Sequence, residues 1–418
     1  MDRFAIRGGV PLCGEVAASG SKNSALALMA ASLLTDQPFE LSNVPRVRDV
    51  DTFVRILETL GLAAQWQGAG RLAIAGGVPV SHEAPYDLVR TMRASFMVLG
   101  PLVARCGRAR VSLPGGCAIG ARPVDQHLRG LEALGAKVRL SGGYVEAQAE
   151  RLRGCRFAFD VRTVNGTQNV LMAACLADGS TLLENAAVEP EVGELIDVLT
   201  GMGAIISGRG TDRLEIEGVP ELASVDHRVT GDRIEAGTLL IGAAMTGGDA
   251  TVTGVRPADL EAVLSKLRET GLQVTTTADS ARVRRAGPVT GTHVATAPFP
   301  GFPTDMQAQM MALLCTAQGG SMLSETIFEN RFMHVSELRR LGADITVDGR
   351  TAFIQGVSEL TGAPVMATDL RASASLVLAG LAARGETHIN RVYHIDRGYE
   401  RIEEKLQALG GRIRREKV

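Results

Sequence analysis

The chain has 418 residues and repeats one motif six times, and this repeat constrains its fold more than any other feature. In every copy, a segment with apolar residues spaced at three and four ends in a leucine-like residue and a glycine. The six glycines lie 74, 68, 68, 71 and 68 residues apart, at Gly61, Gly135, Gly203, Gly271, Gly342 and Gly410. This pattern predicts six amphipathic helices, each with its glycine at the carboxyl end.

A second, more apolar segment precedes each amphipathic one. These segments read NSALALMAASLL, RASFMVLGPLVA, TQNVLMAACLA, EAGTLLIGAAM, MQAQMMALLCTA and ASASLVLAGLAA. Because they are apolar on nearly every side, we expect them to form buried helices. Strand-like runs such as STLLENA follow them, and others such as AKVRL follow the amphipathic helices. The pattern therefore predicts an α/β or α+β fold with units of about 70 residues, each running helix, strand, helix, strands.

Six such units predict two similar domains of three units each. The midpoint falls within residues 219–233, and no Pro- or Ser-rich linker marks it. The opening strand, residues 4–6, comes before the first helix. We therefore expect it to complete the last unit and to bring the chain ends together. A cleft between two similar domains is where we expect a ligand to bind.

The composition excludes several classes of function. A net charge of −2 gives no basic footprint for nucleic acid, and no window approaches a run of 18 apolar residues that could span a membrane. The opening sequence, MDRFAIRGG, has no signal segment, so we expect a cytoplasmic protein. The six cysteines form no CxxC pair and no Cys/His spacing typical of zinc, which favours a reducing compartment and predicts no metal site.

The segment 112–128, SLPGGCAIGARPVDQHL, carries the most distinctive chemistry of the chain. Three glycines surround Cys117, which predicts an open loop. Pro123 favours the first turn of a helix that we expect to begin near Val124. A cysteine just before a helix start and close to Arg122 is in a setting that stabilises a thiolate and attracts anions.

The loops before the helices carry charged residues that helix capping alone does not require. Before the buried helices stand Lys22, Arg93, Asp305 and Arg371, and before the amphipathic helices stand Arg48, Arg122, Arg331 and Arg397. Each arginine alone reads as a solvated surface residue, but the set indicates a substrate with several negative charges. Asp305 alone reads as a helix N-cap; in a cationic cleft it could serve as a general base beside a substrate hydroxyl.

Motifs along the whole chain resemble those of the bacterial UDP-N-acetylglucosamine 1-carboxyvinyltransferases, a family of enolpyruvyl transferases that begin peptidoglycan synthesis. The matching motifs are GSKNSAL, APYDLVRTMRAS, LPGGCAIGARPVDQHL, GTDRLEIEGV, FPTDMQAQ, ENRFMHV, ATDLRASASLVLAG and YHIDRGYERIE. The resemblance implies two domains, 20–229 and 1–19 with 230–418, each of three βαβαββ units in an inside-out α/β barrel. It also implies an active site in the cleft between the domains.

The family reaction moves the enolpyruvyl group of phosphoenolpyruvate to the 3′-hydroxyl of UDP-N-acetylglucosamine, and phosphate leaves from a tetrahedral adduct. The resemblance implies no cofactor, no metal, and inhibition by fosfomycin. It makes Cys117 the proton donor and Asp305 the base, with Lys22, Asn23 and Arg397 also catalytic. The implied phosphoenolpyruvate contacts are Lys22, Asn23, Arg122, Arg331, Arg371 and Arg397, with Asp369 also in the catalytic site. The implied UDP-N-acetylglucosamine contacts are Arg93, Arg122, Pro123, Val124, Asp125, Gln126, Thr163, Val164, Asp305 and the backbone of Ile327.

The chain departs from the family pattern mainly around a loop expected to contact the diphosphate. Val161 stands where a lysine is common, Asn165-Gly166 where Gly-Ala is common, and Gln126 replaces an apolar residue. We expect Arg162 or Thr163 to compensate for the missing lysine.

Three other functions stay open at the level of sequence. They are the sister reaction on shikimate 3-phosphate, a catalytically silent nucleotide-sugar-binding paralogue, and a dinucleotide-binding protein. The sister family lacks the PGGCAIGARP loop. A silent paralogue would be expected to lose Lys22, Cys117, Asp305 or Arg397, and all four are present. The glycines of PGGCAIG do not have the spacing of a dinucleotide fingerprint.

Overall fold

The structure, a computed structural model, describes residues 2–114 and 124–417, and all structural statements concern these. Its α-helices, in chain order, are α1 (Lys22–Ala31), α2 (Arg48–Leu60), α3 (Tyr86–Val89), α4 (Leu99–Cys106), α5 (Asp125–Ala133), α6 (Val164–Ala174), α7 (Pro190–Gly201), α8 (Arg233–Met245), α9 (Glu261–Glu269), α10 (Gln307–Leu314), α11 (Val335–Arg340), α12 (Leu370–Ala382) and α13 (Ile402–Ala408). Short 3₁₀ helices cover Ser32–Leu34, Arg93–Val98, Pro257–Leu260, Thr304–Met306 and Val392–Arg397.

The strands form four-stranded sheets, six of them within the described ranges. In chain order the strands are β1 (Asp2–Arg7), β2 (Cys13–Ala17), β3 (Phe39–Ser42), β4 (Ala64–Trp66), β5 (Leu72–Ile74), β6 (Glu83–Ala84), β7 (Arg108–Ser112), β8 (Lys137–Ser141), β9 (Tyr144–Gln148), β10 (Arg156–Ala158), β11 (Ser180–Glu184), β12 (Ile205–Ser207), β13 (Arg213–Glu217), β14 (Asp226–Arg228), β15 (Asp249–Thr253), β16 (Gln273–Thr276), β17 (Ser280–Arg284), β18 (His293–Ala295), β19 (Gly320–Ser324), β20 (Asp344–Asp348), β21 (Thr351–Gln355), β22 (Pro364–Met366), β23 (Glu386–Asn390) and β24 (Arg412–Lys417).

All six sheets share one topology, as expected for a sixfold repeat. In the sheet β10-β11-β13-β12, the first two strands are parallel and the other neighbours are antiparallel. The parallel pair is joined through the buried helix α6, because parallel strands need a long crossover connection. The amphipathic helix α7 leads from β11 to the antiparallel pair. The mixed α/β fold expected from the sequence is therefore confirmed.

The opening strand completes the last repeat, as predicted. β1 lies between β23 and β24 and pairs antiparallel with both, with Phe4 opposite Ile389 on one side and Arg415 on the other. It occupies the place that the fourth strand of each other unit fills. Two further strands also join the sheet of a unit remote in the chain. β2, from the start of the chain, pairs parallel with β15, and β14, which precedes α8, pairs parallel with β3.

The helices confirm the two classes predicted from the repeat. Every residue of α8 from Ile234 to Met245 is buried, whereas α2 buries one face and exposes the other. The six repeat glycines all end helices in the left-handed region, with φ between 86° and 104°. Glycine adopts this conformation without the steric cost that a side chain would add, so it ends each amphipathic helix.

One predicted helix differs from expectation. The segment 93–106 begins as a 3₁₀ helix, Arg93–Val98, and becomes α-helical only at Leu99. Pro101 explains the break, because proline has no N–H and clashes with the carbonyl four residues earlier; it is tolerated only in the first turn of a new helix. The buried N–H of Gly100, in the first turn of α4, donates instead to Asn169 Oδ1 at 2.6 Å.

The described chain divides into two compact units, each with its own hydrophobic core. The terminal unit holds residues 2–19 and 231–417, which include the first and last described residues. The middle unit holds residues 20–114 and 124–230. Buried helices α8, α10 and α12 pack against one another in the terminal unit, and α6 packs against both α4 and α1 in the middle unit.

Candidate active site

The terminal unit brings together three of the predicted site residues, two arginines and the carboxylate that they contact. Asp305 lies in the short 3₁₀ turn that precedes α10. Its Oδ1 accepts a hydrogen bond from Arg331 Nη2 at 2.7 Å, and its Oδ2 accepts one from Arg371 Nε at 3.3 Å. Both arginine side chains are nearly inaccessible, at 6% and 3% exposed, whereas Asp305 keeps 29% of its side chain exposed. A half-exposed carboxylate thus sits between two buried guanidinium groups.

Arg371 is fixed by its surroundings in the charged form. It follows Asp369, the N-cap of α12, and its guanidinium lies 5.1 Å from the centroid of the Tyr399 ring. Burial lowers its pKa, but Tyr399, Asp305 and Asp232 outweigh that effect and raise the pKa above its usual value. Arg371 therefore stays charged at physiological pH and can present a permanent positive charge to an anion.

Asp369 acts in the structure as a helix cap. Its Oδ1 accepts hydrogen bonds from the backbone N–H groups of Arg371 at 2.8 Å and Ala372 at 3.0 Å, which are orphan donors at the start of α12. Its carboxylate also acts electrostatically on His334, which is fully buried. Burial lowers the pKa of His334 to about 4 despite the opposing effect of Asp369, so this imidazole stays neutral at pH 7.

Arg397 ends the 3₁₀ helix Val392–Arg397 and is half-buried. Burial and the Arg397 charge lower the pKa of His394, which keeps this neighbouring ring uncharged at neutral pH. Arg397 and Asp369 both act electrostatically on His394, with opposite signs, so the two predicted site residues lie near the same imidazole.

Glu325 and Asp49 contact predicted site residues but were not themselves predicted from the sequence. Glu325, directly after β19, accepts hydrogen bonds from Thr304 Oγ1 at 2.8 Å and from the backbone N–H of Ile327 at 2.8 Å. In the middle unit, the buried Asp49 lies 3.4 Å from Lys22 Nζ. In the sequence, Glu325 is an ordinary polar residue at a strand end, and Asp49 is an ordinary acidic residue in the first turn of a helix. Neither could be recognised from the sequence, because the residues that they contact are distant in the chain.

Lys22 opens α1, where Ser21 is the N-cap and accepts a hydrogen bond from the N–H of Ser24. Lys22 is buried, and Asn23 beside it is half-buried. A buried ammonium group needs compensation, which the carboxylate of Asp49 supplies. The start of α1 thus combines a held cation with the positive end of a helix dipole, a combination that favours anion binding.

Arg93 opens the 3₁₀ helix that leads into α4, and it lies close enough to His127 to affect its titration. Burial, with the Arg93 charge in support, lowers the pKa of His127 to about 3. The neutral ring is fixed by Asn169, whose Nδ2 lies 2.9 Å from His127 Nδ1, and by an edge-on contact with Phe96. Through His127, Phe96 and Asn169 therefore connect the first turn of α5 to the 3₁₀ helix that begins at Arg93.

Gln126 joins two segments expected to contact the nucleotide sugar. Its Oε1 accepts from the backbone N–H of Asp160 at 2.9 Å, and its Nε2 donates to Asp160 Oδ2 at 3.3 Å. Asp160 also pairs with Arg129. Gln126, where the family commonly has an apolar residue, thus links the start of α5 to the segment before Thr163. Val124 is the N-cap position of α5, and Asp125 is exposed in its first turn.

Thr163 is the N-cap of α6, where its Oγ1 accepts from the N–H of Gly166, and Val164 is half-buried at the first helical position. Arg162, next to this turn, donates hydrogen bonds to Asn185 at 3.0 Å and to Asp212 at 2.6 Å. Val161 is exposed.

Three predicted residues, Cys117, Arg122 and Pro123, lie outside the described residues. Within 2–114 and 124–417, the other five cysteines are free and no group of His, Cys, Asp and Glu has the arrangement of a metal site. Across the same ranges, we find no helix with the length and apolar character needed to cross a membrane.

Comparison with known proteins identifies relatives along the whole chain. The model of the family described as EPSP synthase (3-phosphoshikimate 1-carboxyvinyltransferase) matches residues 6–406. Proteins named UDP-N-acetylglucosamine 1-carboxyvinyltransferase are 59% identical in Anaeromyxobacter sp. (strain Fw109-5), 58% in Myxococcus xanthus (strain DK1622) and 56% in Desulfovibrio desulfuricans (strain ATCC 27774), each over 100% of both chains.

Solved structures share the fold. The enolpyruvyl transferase NikO from Streptomyces tendae superposes with a TM-score of 0.88 at 27% identity, covering 99% of this chain and 98% of its own. EPSP synthase from Acinetobacter baumannii superposes with a TM-score of 0.78 over 100% of both chains, but at 17% identity this likeness bears on the fold alone.

Proposed function

Because the chain belongs to the EPSP synthase family of carboxyvinyltransferases, we propose that it transfers the enolpyruvyl group of phosphoenolpyruvate to the 3′-hydroxyl of UDP-N-acetylglucosamine. The observation that carries this proposal is the 56–59% identity, over the full length, to proteins named UDP-N-acetylglucosamine 1-carboxyvinyltransferase. The family description names shikimate 3-phosphate chemistry instead, but the solved EPSP synthase is only 17% identical to this chain.

The reaction needs three kinds of group. The sugar hydroxyl loses a proton as its oxygen bonds to the central carbon of phosphoenolpyruvate, and the methylene carbon gains a proton. The tetrahedral adduct then expels phosphate and loses a proton from the methyl group, which restores the vinyl double bond. A base, an acid and several cations therefore suffice, and the cations stabilise the charge that moves during addition.

We assign the base role to Asp305. Its carboxylate is the exposed member of the cluster with Arg331 and Arg371, so a substrate hydroxyl can reach it. The two buried guanidinium groups hold its orientation, and they are the permanent cations that we assign to phosphoenolpyruvate. Arg397, which is half-buried rather than buried, completes this positive set.

We assign Lys22 and Asn23 to phosphoenolpyruvate as well, and Cys117 and Arg122 to proton delivery and anion binding. Lys22 is supported by its position at the start of α1 and its pairing with Asp49. The roles of Cys117, Arg122 and Pro123 rest on sequence motifs.

We assign nucleotide-sugar contacts to Arg93, to residues 122–126, to the Thr163–Val164 turn, to Asp305 and to the backbone of Ile327. Support in the structure comes from the Gln126 to Asp160 link, which connects the α5 start to the Thr163 turn. In the cell, we place the reaction in the cytoplasm at the start of peptidoglycan synthesis, where fosfomycin would inhibit growth and division.

Product identification tests this function directly. The purified protein is incubated with phosphoenolpyruvate and UDP-N-acetylglucosamine, and the nucleotide product is examined by mass spectrometry and NMR. We expect an enolpyruvyl ether on the 3′-oxygen. An unmodified nucleotide sugar would contradict the proposal, and an ether formed on shikimate 3-phosphate in a parallel reaction would move the chain to the sister activity.

A further inference from the structure

Glu325 is a buried carboxylate that joins the two nucleotide-sugar contacts assigned to the terminal unit. Only 1% of the residue is exposed, directly after strand β19. A buried charge is costly unless donors surround it. Glu325 has four: Thr296 Oγ1 at 2.9 Å, Thr304 Oγ1 at 2.8 Å, and the backbone N–H groups of Ile327 at 2.8 Å and Phe328 at 3.1 Å.

The directions of these hydrogen bonds are fixed by the other partners. Thr304 Oγ1 accepts from Arg331 Nη1 at 2.7 Å, and Thr296 Oγ1 accepts from the N–H of Thr326 at 2.9 Å. Each hydroxyl hydrogen is therefore free to point toward Glu325. Because backbone N–H groups can only donate, all four partners donate to the carboxylate, three of them to Oε1 and Thr304 to Oε2.

One side of the carboxylate leads to the assigned base. Glu325 Oε2 accepts a hydrogen bond from the Thr304 hydroxyl, which in turn accepts one from Arg331 Nη1. Arg331 Nη2 then donates to Asp305 at 2.7 Å. Thr304 also directly precedes Asp305 in the chain. The orientation of the Asp305 carboxylate thus depends on a hydrogen-bond chain that begins at Glu325.

The other side leads to the Ile327 backbone. Glu325 Oε1 accepts from the N–H groups of both Ile327 and Phe328, which closes the turn after β19. With its N–H held in this way, Ile327 can offer a substrate only its carbonyl oxygen, as a hydrogen-bond acceptor. One buried group therefore sets the positions of two contacts that belong to different segments.

We propose that Glu325 is a positioning residue for the transfer reaction: its two oxygens hold Thr304 and the Ile327 turn, so that Asp305 and the Ile327 carbonyl meet the nucleotide sugar together. This inference rests on the proposed function. A displacement of about 1 Å at a reacting group can lower the rate by about a hundredfold, so a change in this support is measurable in kinetics.

Glu325→Gln tests the proposal with little change in size. An amide keeps one acceptor oxygen, but its NH₂ group must face either the Thr304 hydroxyl or the two backbone N–H groups. We expect kcat to fall about tenfold and the KM for UDP-N-acetylglucosamine to rise about tenfold. Loss of folded protein alone would lower kcat without raising this KM.

Thr304→Val provides a second, narrower variant. It cuts the link from Glu325 to Arg331 but leaves the Ile327 turn, so we expect a lower kcat with the KM for the nucleotide sugar within about twofold of wild type. Glu403→Gln is the matched control, because Glu403 is another buried carboxylate of the terminal unit, paired with Arg415. We expect wild-type kinetics from this control.

The outcomes separate the inference from the proposed function. Wild-type protein that transfers no enolpyruvyl group would overturn the function. Active wild type with an unchanged KM in Glu325→Gln would overturn only the positioning role. If Glu325→Gln does not fold, Thr304→Val decides, and a wild-type kcat in that variant would overturn the role.

Discussion

Single residues at the candidate site were predictable when their position in the repeat was unusual. Lys22, Arg93, Asp305 and Arg371 stood out because each lies at the start of a buried helix, where capping needs no strong charge. Their partners were not predictable, since Asp49 and Glu325 become distinctive only through contacts with distant residues. The roles of the predicted residues stay predictions, and the structure adds the hydrogen bonds that hold several of them.

Asp305→Asn removes the assigned base and keeps its shape. We expect kcat for phosphate release to fall at least about a hundredfold, because general base catalysis contributes about that much or more. Binding of UDP-N-acetylglucosamine, measured by titration calorimetry, should persist. Asp344→Asn, at an exposed strand position, is the control. A variant at Asp305 that retains more than a tenth of wild-type kcat would exclude the base role.

Cys117→Ser tests the assigned proton donor, which only the sequence supports. We expect the wild-type protein to gain one covalent adduct from fosfomycin, because the thiolate form of a cysteine is the nucleophile that opens the epoxide, and the variant to gain none. Intact-protein mass spectrometry measures the adduct, and Cys13→Ser, at an exposed cysteine, serves as the control. An adduct on the Cys117→Ser protein would place the reactive thiol elsewhere.

His334 predicts how stability depends on pH. Burial lowers its pKa from 6.5 to about 4, so the unfolded chain binds a proton that the folded chain does not between these values. This contribution to stability is complete above pH 6.5 and is lost as the pH falls toward 4, by about 3 kcal/mol at most.

Urea unfolding at pH 7 and pH 4.5 measures this dependence. The neutral variant His334→Leu should show a smaller loss of unfolding free energy between the two pH values than the wild type does. His293→Gln, at an exposed histidine, should behave like the wild type. Equal losses in wild type and His334→Leu would show that His334 does not carry the effect.

At the scale of helices and strands, the repeat period of the sequence predicted nearly all of the helix positions. The glycine positions gave the ends of all six amphipathic helices, because a left-handed residue is needed there. The segment 93–106 departed from its prediction, since the apolar pattern hid the local effect of Pro101. An apolar composition predicts that a segment is buried. Whether the segment forms a 3₁₀ helix or an α-helix depends on local hydrogen bonds, one of which a proline removes.

Gly203→Ala tests the helix-end argument. Gly203 has a φ of 104°, and an added Cβ would meet no atom within 4 Å, so any cost comes from the backbone. We expect the unfolding free energy in urea to fall by about 1–2 kcal/mol. Gly287→Ala is the control, because its added Cβ also meets nothing and its φ is not positive. A Gly203→Ala protein as stable as wild type would refute the argument.

For the whole molecule, the repeat predicted six like units and the return of the first strand to the last sheet. The exchange of β2 and β14 was not foreseen, because a sequence period shows which segments are alike but not which sheet a short outlying strand joins. Both strands are short and largely exposed, so their own sequence carries little burial pattern, and tertiary pairing fixes their partners.

Phe4→Ala tests the role of the opening strand. Phe4 is fully buried in the core of the terminal unit, so the truncation should cost about 3–5 kcal/mol. We expect native-state hydrogen exchange to accelerate in β23 and β24, the neighbours of β1, and to change little in the sheet of β11 in the middle unit. Unchanged exchange in β23 and β24 would show that β1 contributes little to this sheet.

The central claim is that this chain transfers an enolpyruvyl group to a nucleotide sugar. The most direct measurement is phosphate release from phosphoenolpyruvate by the purified protein, with UDP-N-acetylglucosamine, with shikimate 3-phosphate, and with neither. We predict release only with UDP-N-acetylglucosamine. Release only with shikimate 3-phosphate, or no release with either acceptor, would contradict the account.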